Sequence, residues 1–190
     1  MQIENVFSQL PQIATDRLIL RRMRASDVDD VYAYACDPDV ARYTSWAPHT
    51  SPDESRQFVR RVLDAYLEKR VANWGLELKS ERKLIGTGGF GSWDKEHGVA
   101  EIGYAMGKPY WGQGLMTEAV KTMIEFGFKR MVLNRVVIRM DPRNTGSWRV
   151  AEKCGCRFEG IHRQAIYTKG TFHDLMVWAI LREDWSRASK

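Results

Sequence analysis

Two glycine-bearing stretches have the spacing that anion-binding chemistry uses. In Trp111-Gly112-Gln113-Gly114-Leu115-Met116-Thr117-Glu118-Ala119, the end of a strand runs into an amphipathic helix. The unpaired N–H groups of such a helix start, with the helix dipole behind them, cradle a phosphate. Gly112 and Gly114 carry no side chain, so phosphate oxygens can reach the backbone. The plainer alternative is a glycine-rich turn that only begins a helix. The Gly-Lys-Ser/Thr ending of a Walker A loop is missing, so a nucleoside triphosphatase is not suggested. The second stretch, Gly86-Thr87-Gly88-Gly89-Phe90-Gly91, matches G-x-G-x-x-G literally. A dinucleotide site needs a helix after that pattern, whereas Ser92-Trp93-Asp94-Lys95 reads as a turn into another strand. Its glycines therefore mark a strand against which a neighbour or ligand packs closely.

Other reactive side chains are sparse. Cys36, Cys154 and Cys156 are an odd number, fit no disulfide framework, and have no His/Cys zinc spacing. They suit a reducing, cytoplasmic compartment. Cys154 and Cys156 raise an acyl-cysteine route, but Cys154 ends a helix on its apolar side and reads as a buried, inert thiol. His162 and His173 fall in one hairpin where they can face each other; without a third ligand they read as surface residues, and no metal is expected.

The elements that must position these residues follow from periodicity and punctuation. Residues 17–23 alternate as a strand, and a short helix runs from Ser26 to about Cys36, stopped by Asp37-Pro38. Residues 41–50 form a loop rich in large side chains. Ser51, Pro52 and Glu54 spell a capping box for a helix ending near Arg70. Residues 71–79, 84–92 and 99–107 read as an antiparallel meander. A helix follows Gly114, its apolar stripe being Met116, Val120, Met123, Ile124 and Phe128. Residues 135–140 make a short buried strand, a helix runs from about Thr145 to Cys154, and Gly155 stops it. The chain closes with a hairpin, 158–168 and 171–182, around Lys169-Gly170. The resulting order, β-α-α-β-β-β-α-β-α-β-β, is a mixed α/β sheet covered by helices.

At 190 residues the chain reads as a single domain over 1–190, with 1–14 and 184–190 as peripheral tails. Apolar residues make up 44% and charged residues 28%, ordinary for a globular protein. No apolar run approaches the ~18 residues of a membrane span, and the opening residues lack a basic n-region followed by an apolar h-region, so no secretory signal is expected. The net charge of +5 mildly favours anionic ligands and falls short of a nucleic-acid-binding composition. Arg21, Arg22, Arg24, Arg60, Arg61, Lys69 and Arg70 read mostly as solvated faces that attract an anionic cofactor or acidic partner.

Three stretches resemble the GNAT superfamily of acetyl-CoA-dependent N-acetyltransferases, in particular its RimJ/RimL-type branch. They are Thr15-Asp16-Arg17-Leu18-Ile19-Leu20-Arg21; Glu101-Ile102-Gly103-Tyr104 through Pro109 to Ala119; and Asn144-Thr145-Gly146-Ser147 through Glu152 to Gly160. The resemblance spans about residues 15 to 182. It implies the GNAT fold: a mixed, mostly antiparallel twisted sheet of about seven strands, flanked by about four helices and splayed between the fourth (99–107) and fifth (135–140) strands. It also implies acetyl-CoA in that cleft. Ala105, Met106 and Gly107 would bond the pantetheine arm with Asn144, and the amides of Trp111, Gly112, Gln113, Gly114, Leu115, Met116 and Thr117 would hold the pyrophosphate. Ser147 matches the residue placed near the departing sulfur.

Acetyl transfer needs a neutral amine, a polarised thioester carbonyl and a stabilised thiolate. A backbone N–H near Met106 can polarise the carbonyl, Ser147 can donate to the sulfur, and a carboxylate or ordered water can take the amine proton. Glu101 is the candidate carboxylate; alternation puts it with Gly103 and Ala105, opposite Ile102, Tyr104 and Met106. A solvated strand carboxylate is the competing reading. Tyr43 and Trp46, with His49, fall where this branch borders its acceptor pocket; folding of the loop aromatics onto the domain is the alternative. Three positions depart from the pattern. Pro109 replaces the usual glutamine or arginine, Ala151 replaces a tyrosine acid, and Ile166 replaces a glutamate base, which weakens assignment to the RimL reaction itself.

The expected function is direct acetyl transfer to a primary amine, foremost a protein N-terminal α-amine of ribosomal-protein type. The alternatives are a small-molecule amine (polyamine, amino acid or antibiotic) and a non-catalytic acetyl-CoA-binding module. No specific nucleic acid or membrane partner is expected; a homodimer follows from branch analogy.

Overall fold

The computed structural model describes residues 6–7 and 10–188. Its strands are β1 (Ile13–Ala14), β2 (Leu18–Arg21), β3 (Asn73–Leu78), β4 (Lys83–Asp94), β5 (Val99–Met106), β6 (Arg135–Met140), β7 (Arg157–Thr168) and β8 (Thr171–Leu181). Its helices are α1 (Val28–Ala35), α2 (Pro38–Ala41), α3 (Pro52–Leu67), α4 (Leu115–Arg130), α5 (Thr145–Lys153) and α6 (Arg182–Ala188). The strands form one sheet in the order β1-β2-β3-β4-β5-β6-β8-β7. Every pair is antiparallel except β5–β6. The mixed, mostly antiparallel sheet covered by helices that the sequence leads one to expect is the one observed, with six helices among the described residues in place of about four. Among the described residues no helix is long and apolar enough to cross a membrane.

The sheet has two covered faces. Tyr34 of α1 shares a 3.2 Å hydrogen bond with Thr87, which puts that side of β4 under α1. A methyl group on Gly88 would collide with Met123, so the opposite side lies under α4. In register, Thr87 faces Ala105 and Gly88 faces Tyr104. Glu101, Gly103 and Ala105 therefore lie on the α1 face, and Ile102 and Tyr104 on the α4 face. Between sheet and helices Trp74, Phe90 and Phe126 pack edge to face or tilted, with centroids 5.2–6.5 Å apart.

The splay is where parallel pairing stops. β5 meets β6 only over Val99–Glu101 against Arg135–Val137. β5 stays with β4 as far as Met106, and β6 stays with β8 as far as Met140. Past Glu101 the two strands part, and the β5 backbone edge that β6 would have paired is left open.

Several expectations change. Ile13–Ala14 adds an eighth strand to the expected seven by pairing with β2. The described part of the 1–14 tail is not peripheral: Val6, Phe7 and Leu10 are buried, and Trp74 donates to the Pro11 carbonyl at 2.9 Å. At the other end Trp185 of α6 packs on Phe128, with centroids 5.4 Å apart. The first helix is split, a 3₁₀ turn over Ala25–Asp27 preceding α1. Pro38 begins a helical turn, α2, inside the region read as punctuation. Ser51 is the N-cap of α3, but its side chain caps nothing. Glu54 instead accepts from the N–H and hydroxyl of Thr50. Arg21 is buried rather than solvated, because Asp27 takes two of its N–H groups and Glu77 a third.

Candidate active site

Two cavities meet at the splay, sharing residues on both sides of it. The larger, about 730 Å3, lies on the α4–α5 side. Its floor is the loop from Tyr110 into α4. Gly112 and Gly114 have φ of +74° and +77°, left-handed values that glycine adopts without strain. They turn the chain so that the amides of Leu115, Met116 and Thr117, which have no intrahelical acceptor, open the helix beside the cavity. A Cβ on Gly112 would touch nothing within 4 Å, so the space above that backbone is free. Arg143, Arg149 and Lys153 line the facing wall. Open glycine backbone, helix-start amides and the cations Arg149 and Lys153 fit a phosphorylated ligand, Arg143 being paired with Asp141.

The loop is clamped from far away in sequence. Arg17 donates to the Gln113 carbonyl at 2.8 Å and to Glu118 through both main chain and side chain. Thr15 adds a further hydrogen bond to Glu118. Burial alone would raise the Glu118 pKa, but these donors outweigh it and hold the carboxyl below its ordinary value. The Thr15-Asp16-Arg17 stretch thus anchors the cradle.

The smaller cavity, about 500 Å3, lies on the α1 side. Tyr43, Trp46, His49, Phe58 and Arg61 form one wall; Arg139, Asp141, Ile166, His173 and Leu175 form another. Glu101 lies on this wall, where Arg139 donates to its carboxylate through Nε at 2.9 Å and through a second guanidinium nitrogen. Asp141 accepts two side-chain bonds from Arg143, which lower its pKa. Trp46 packs against the His49 ring at 5.6 Å. The hairpin tip roofs the cavity: Thr168 donates to the Ser45 carbonyl, and Lys169 to those of Ala41 and Arg42.

Tyr104, Ala105, Asn144 and Ser147 line both cavities, together with Arg42, Tyr43 and Thr44. Asn144 begins α5 and accepts from the Ser147 N–H at 3.2 Å, leaving its amide NH2 available. The Tyr104 hydroxyl donates to the Ser147 carbonyl at 3.1 Å and lies 3.1 Å from Ser147 Oγ. Burial raises the Tyr104 pKa despite that contact, so it stays a neutral phenol.

Most sequence-predicted site residues come together here: Ser147 and Asn144 at the junction, Ala105 and Met106 beside it, Trp111, Gly112, Gly114, Leu115, Met116 and Thr117 around the larger cavity, and Glu101, Tyr43 and Trp46 around the smaller. Gly107 and Gln113 stand apart. The Gly107 N–H is taken by the Ile85 carbonyl, and the Gln113 side chain folds back onto the Pro109 carbonyl. His162 and His173 do not face each other, because the register opposes His162 to Leu175 and His173 to Ile166. Cys154 and Cys156 are buried, which pushes both thiols up to about 12. Sequence reasoning missed Tyr104 as a functional residue and the cations Arg143, Arg149 and Lys153; strand alternation alone placed Tyr104 away from Glu101.

The comparisons with known proteins agree with this geometry. Residues 17–157 match the family model described as Acetyltransferase (GNAT) domain. The uncharacterized N-acetyltransferase p20 of Bacillus licheniformis is 33% identical over 172 residues, covering 90% of this chain and 97% of that protein. The [ribosomal protein uS5]-alanine N-acetyltransferase of Escherichia coli (strain K12) is 22% identical over 187 residues, covering 94% and 96%. The crystal structure of a GNAT-family acetyltransferase from Bacillus anthracis superimposes with a TM-score of 0.81 at 31% identity, over 91% of this chain and 99% of that one. A sheet splayed at one parallel pair, a glycine-turned helix start and a family match across most of the chain converge on one conclusion: this protein belongs to the GNAT acetyltransferases and is an N-acetyltransferase.

Proposed function

We propose that the protein transfers an acetyl group directly from acetyl-CoA to a protein N-terminal α-amine. The observation that carries this reading is the junction: two cavities that meet at the splay share Tyr104, Ala105, Asn144 and Ser147. Donor and acceptor can therefore meet without a covalent enzyme intermediate. Protonated Cys154 and Cys156 also argue against an acyl-cysteine route. The ribosomal-protein relative supports an N-terminal acceptor.

Acetyl-CoA, bound in the larger cavity, supplies the acetyl group as a thioester. The amides of Leu115 to Thr117 hold its pyrophosphate with Arg149 and Lys153, and the Asn144 NH2 bonds the pantetheine arm. As the amine nitrogen bonds to the acetyl carbon, the carbon–sulfur bond breaks with its electron pair on sulfur. Ser147 passes its proton to that sulfur, the amine proton goes to Glu101 directly or through water, and a proton returned from Glu101 through solvent restores the Ser147 hydroxyl.

The Ser147 step needs its hydroxyl proton free. Tyr104 has one proton. While that proton sits on the Ser147 carbonyl, the Ser147 hydroxyl donates to Tyr104. Turning the Tyr104 proton onto Ser147 Oγ releases the serine proton toward the sulfur. Tyr104 is thus a positioning residue for Ser147.

The test is release of free CoA thiol from acetyl-CoA with N-terminal peptides, polyamines and amino acids, in wild type and Ser147→Ala. Peptide-dependent release that falls in the variant is expected. Tight acetyl-CoA binding with no peptide accepted would sink the N-terminal reading, and no acetyl-CoA binding would sink the cradle assignment.

A further inference from the structure

The smaller cavity holds more fixed cations than carboxylates to match them. Its charged lining residues are Arg42, Arg61, Glu101, Arg139, Asp141 and Lys169. Glu101 is taken by Arg139, and Asp141 by Arg143 from the junction side. Arg42 shares Asp39 with Lys108, so even that carboxylate serves two cations. Two cations are left. Arg61, on the exposed side of α3, has no ion-pair partner among the described residues. Among the described residues Lys169 donates only to the main-chain carbonyls of Ala41 and Arg42. Both line the acceptor cavity alone, away from the junction.

The field of these cations reaches inward. His49 is held below its ordinary pKa first by burial, with Arg61 pushing it further down against Glu54, so at neutral pH it adds no compensating or competing charge. Burial likewise lowers the Lys169 pKa, and no carboxylate offsets it. Further cations on the acceptor are repelled, and an anion is drawn to the far end of the cavity.

We infer that the acceptor is an N-terminal segment bearing a carboxylate side chain on one of the residues that follow the acetylated one, with Arg61 and Lys169 as its specificity-determining contacts. This rests on the N-terminal reading above and narrows it.

The test compares three synthetic peptides with the same N-terminal serine and glutamate, glutamine or lysine at the next two positions. Exposed charge contacts contribute up to about 1 kcal/mol each, so at low salt the glutamate peptide should exceed the glutamine peptide in kcat/KM by about three- to tenfold. The lysine peptide should fall below both, and raised salt should compress the series. In Arg61→Gln the glutamate-to-glutamine ratio should move toward one; the site is on a helix surface, so folding is not at stake. Lys169→Gln should do the same, checked by its melting temperature because Lys169 also ties the roof. A lysine peptide used as well as the glutamate peptide at low salt, or a preference that both variants keep, overturns the inference and leaves N-terminal transfer standing. Turnover of spermidine with no peptide accepted overturns both.

Discussion

Ser147 and Tyr104 hold two hydroxyl protons between them, and the Ser147 carbonyl competes for one. Each side chain therefore matters to the chemistry through the other. Ser147→Ala should lower kcat by about a hundredfold, the lower end of what a positioned proton donor contributes. Tyr104→Phe should also lower kcat while leaving the KM for acetyl-CoA little changed, since no phosphate contact is lost. The decisive readout is the double variant. If Tyr104 acts by freeing the serine proton, adding Tyr104→Phe to Ser147→Ala costs nothing more; a purely structural tyrosine would cost the same factor in both backgrounds.

The cradle shows how one element depends on another distant in sequence. Helix α4 offers its amides because Gly112 and Gly114 turn the chain, but the turn is pinned by Arg17, the residue just before β2. Arg17→Ala removes the clamp without touching the ligand. It should raise the KM for acetyl-CoA several-fold, up to about tenfold for charge-assisted hydrogen bonds, with kcat nearly unchanged. An unaltered KM would show that the glycine turn holds itself. The splay belongs to this scale too: parallel pairing ends after Glu101, and the α5 residue Ser147 is tied to Tyr104 of β5 at the gap.

Across the whole molecule, carboxylates hold distant parts of the chain together. Glu118 joins α4 to the β2 edge, Asp141 holds Arg143 at the junction, and Glu159 pairs β7 with Arg135 of β6. All three have pKa values below their ordinary range: at Asp141 and Glu159 the arginine hydrogen bonds are the main cause, and at Glu118 hydrogen bonds overcome burial. A carboxyl depressed in the folded state stabilises it above the unfolded pKa, near 4, and that contribution is lost as pH falls through the folded value. Melting temperature should therefore fall steeply below about pH 4, and Glu118→Gln should flatten the fall. A melting temperature unchanged between about pH 6 and about pH 3 would refute this account.

What the sequence determined by itself was local. The starts of α3, α4 and α5, the Lys169-Gly170 turn, the β6 limits and the glycine cradle were legible because helix-start proline, left-handed φ and alternation act within a few residues of chain. Arg17, Glu118 and Tyr104 stood in stretches whose order marked the family, without showing what they touch. Only the tertiary structure decided that Glu101 lies on the acceptor wall paired with Arg139, that Tyr104 reaches Ser147 across the splay, and that Arg21 is buried between Asp27 and Glu77. The physical reason is the same in each case. A strand's alternation fixes which side a residue shares with its neighbours, but the partner that neutralises, buries or orients it comes from another strand or helix, and its arrival depends on how the sheet is ordered and where its pairing stops.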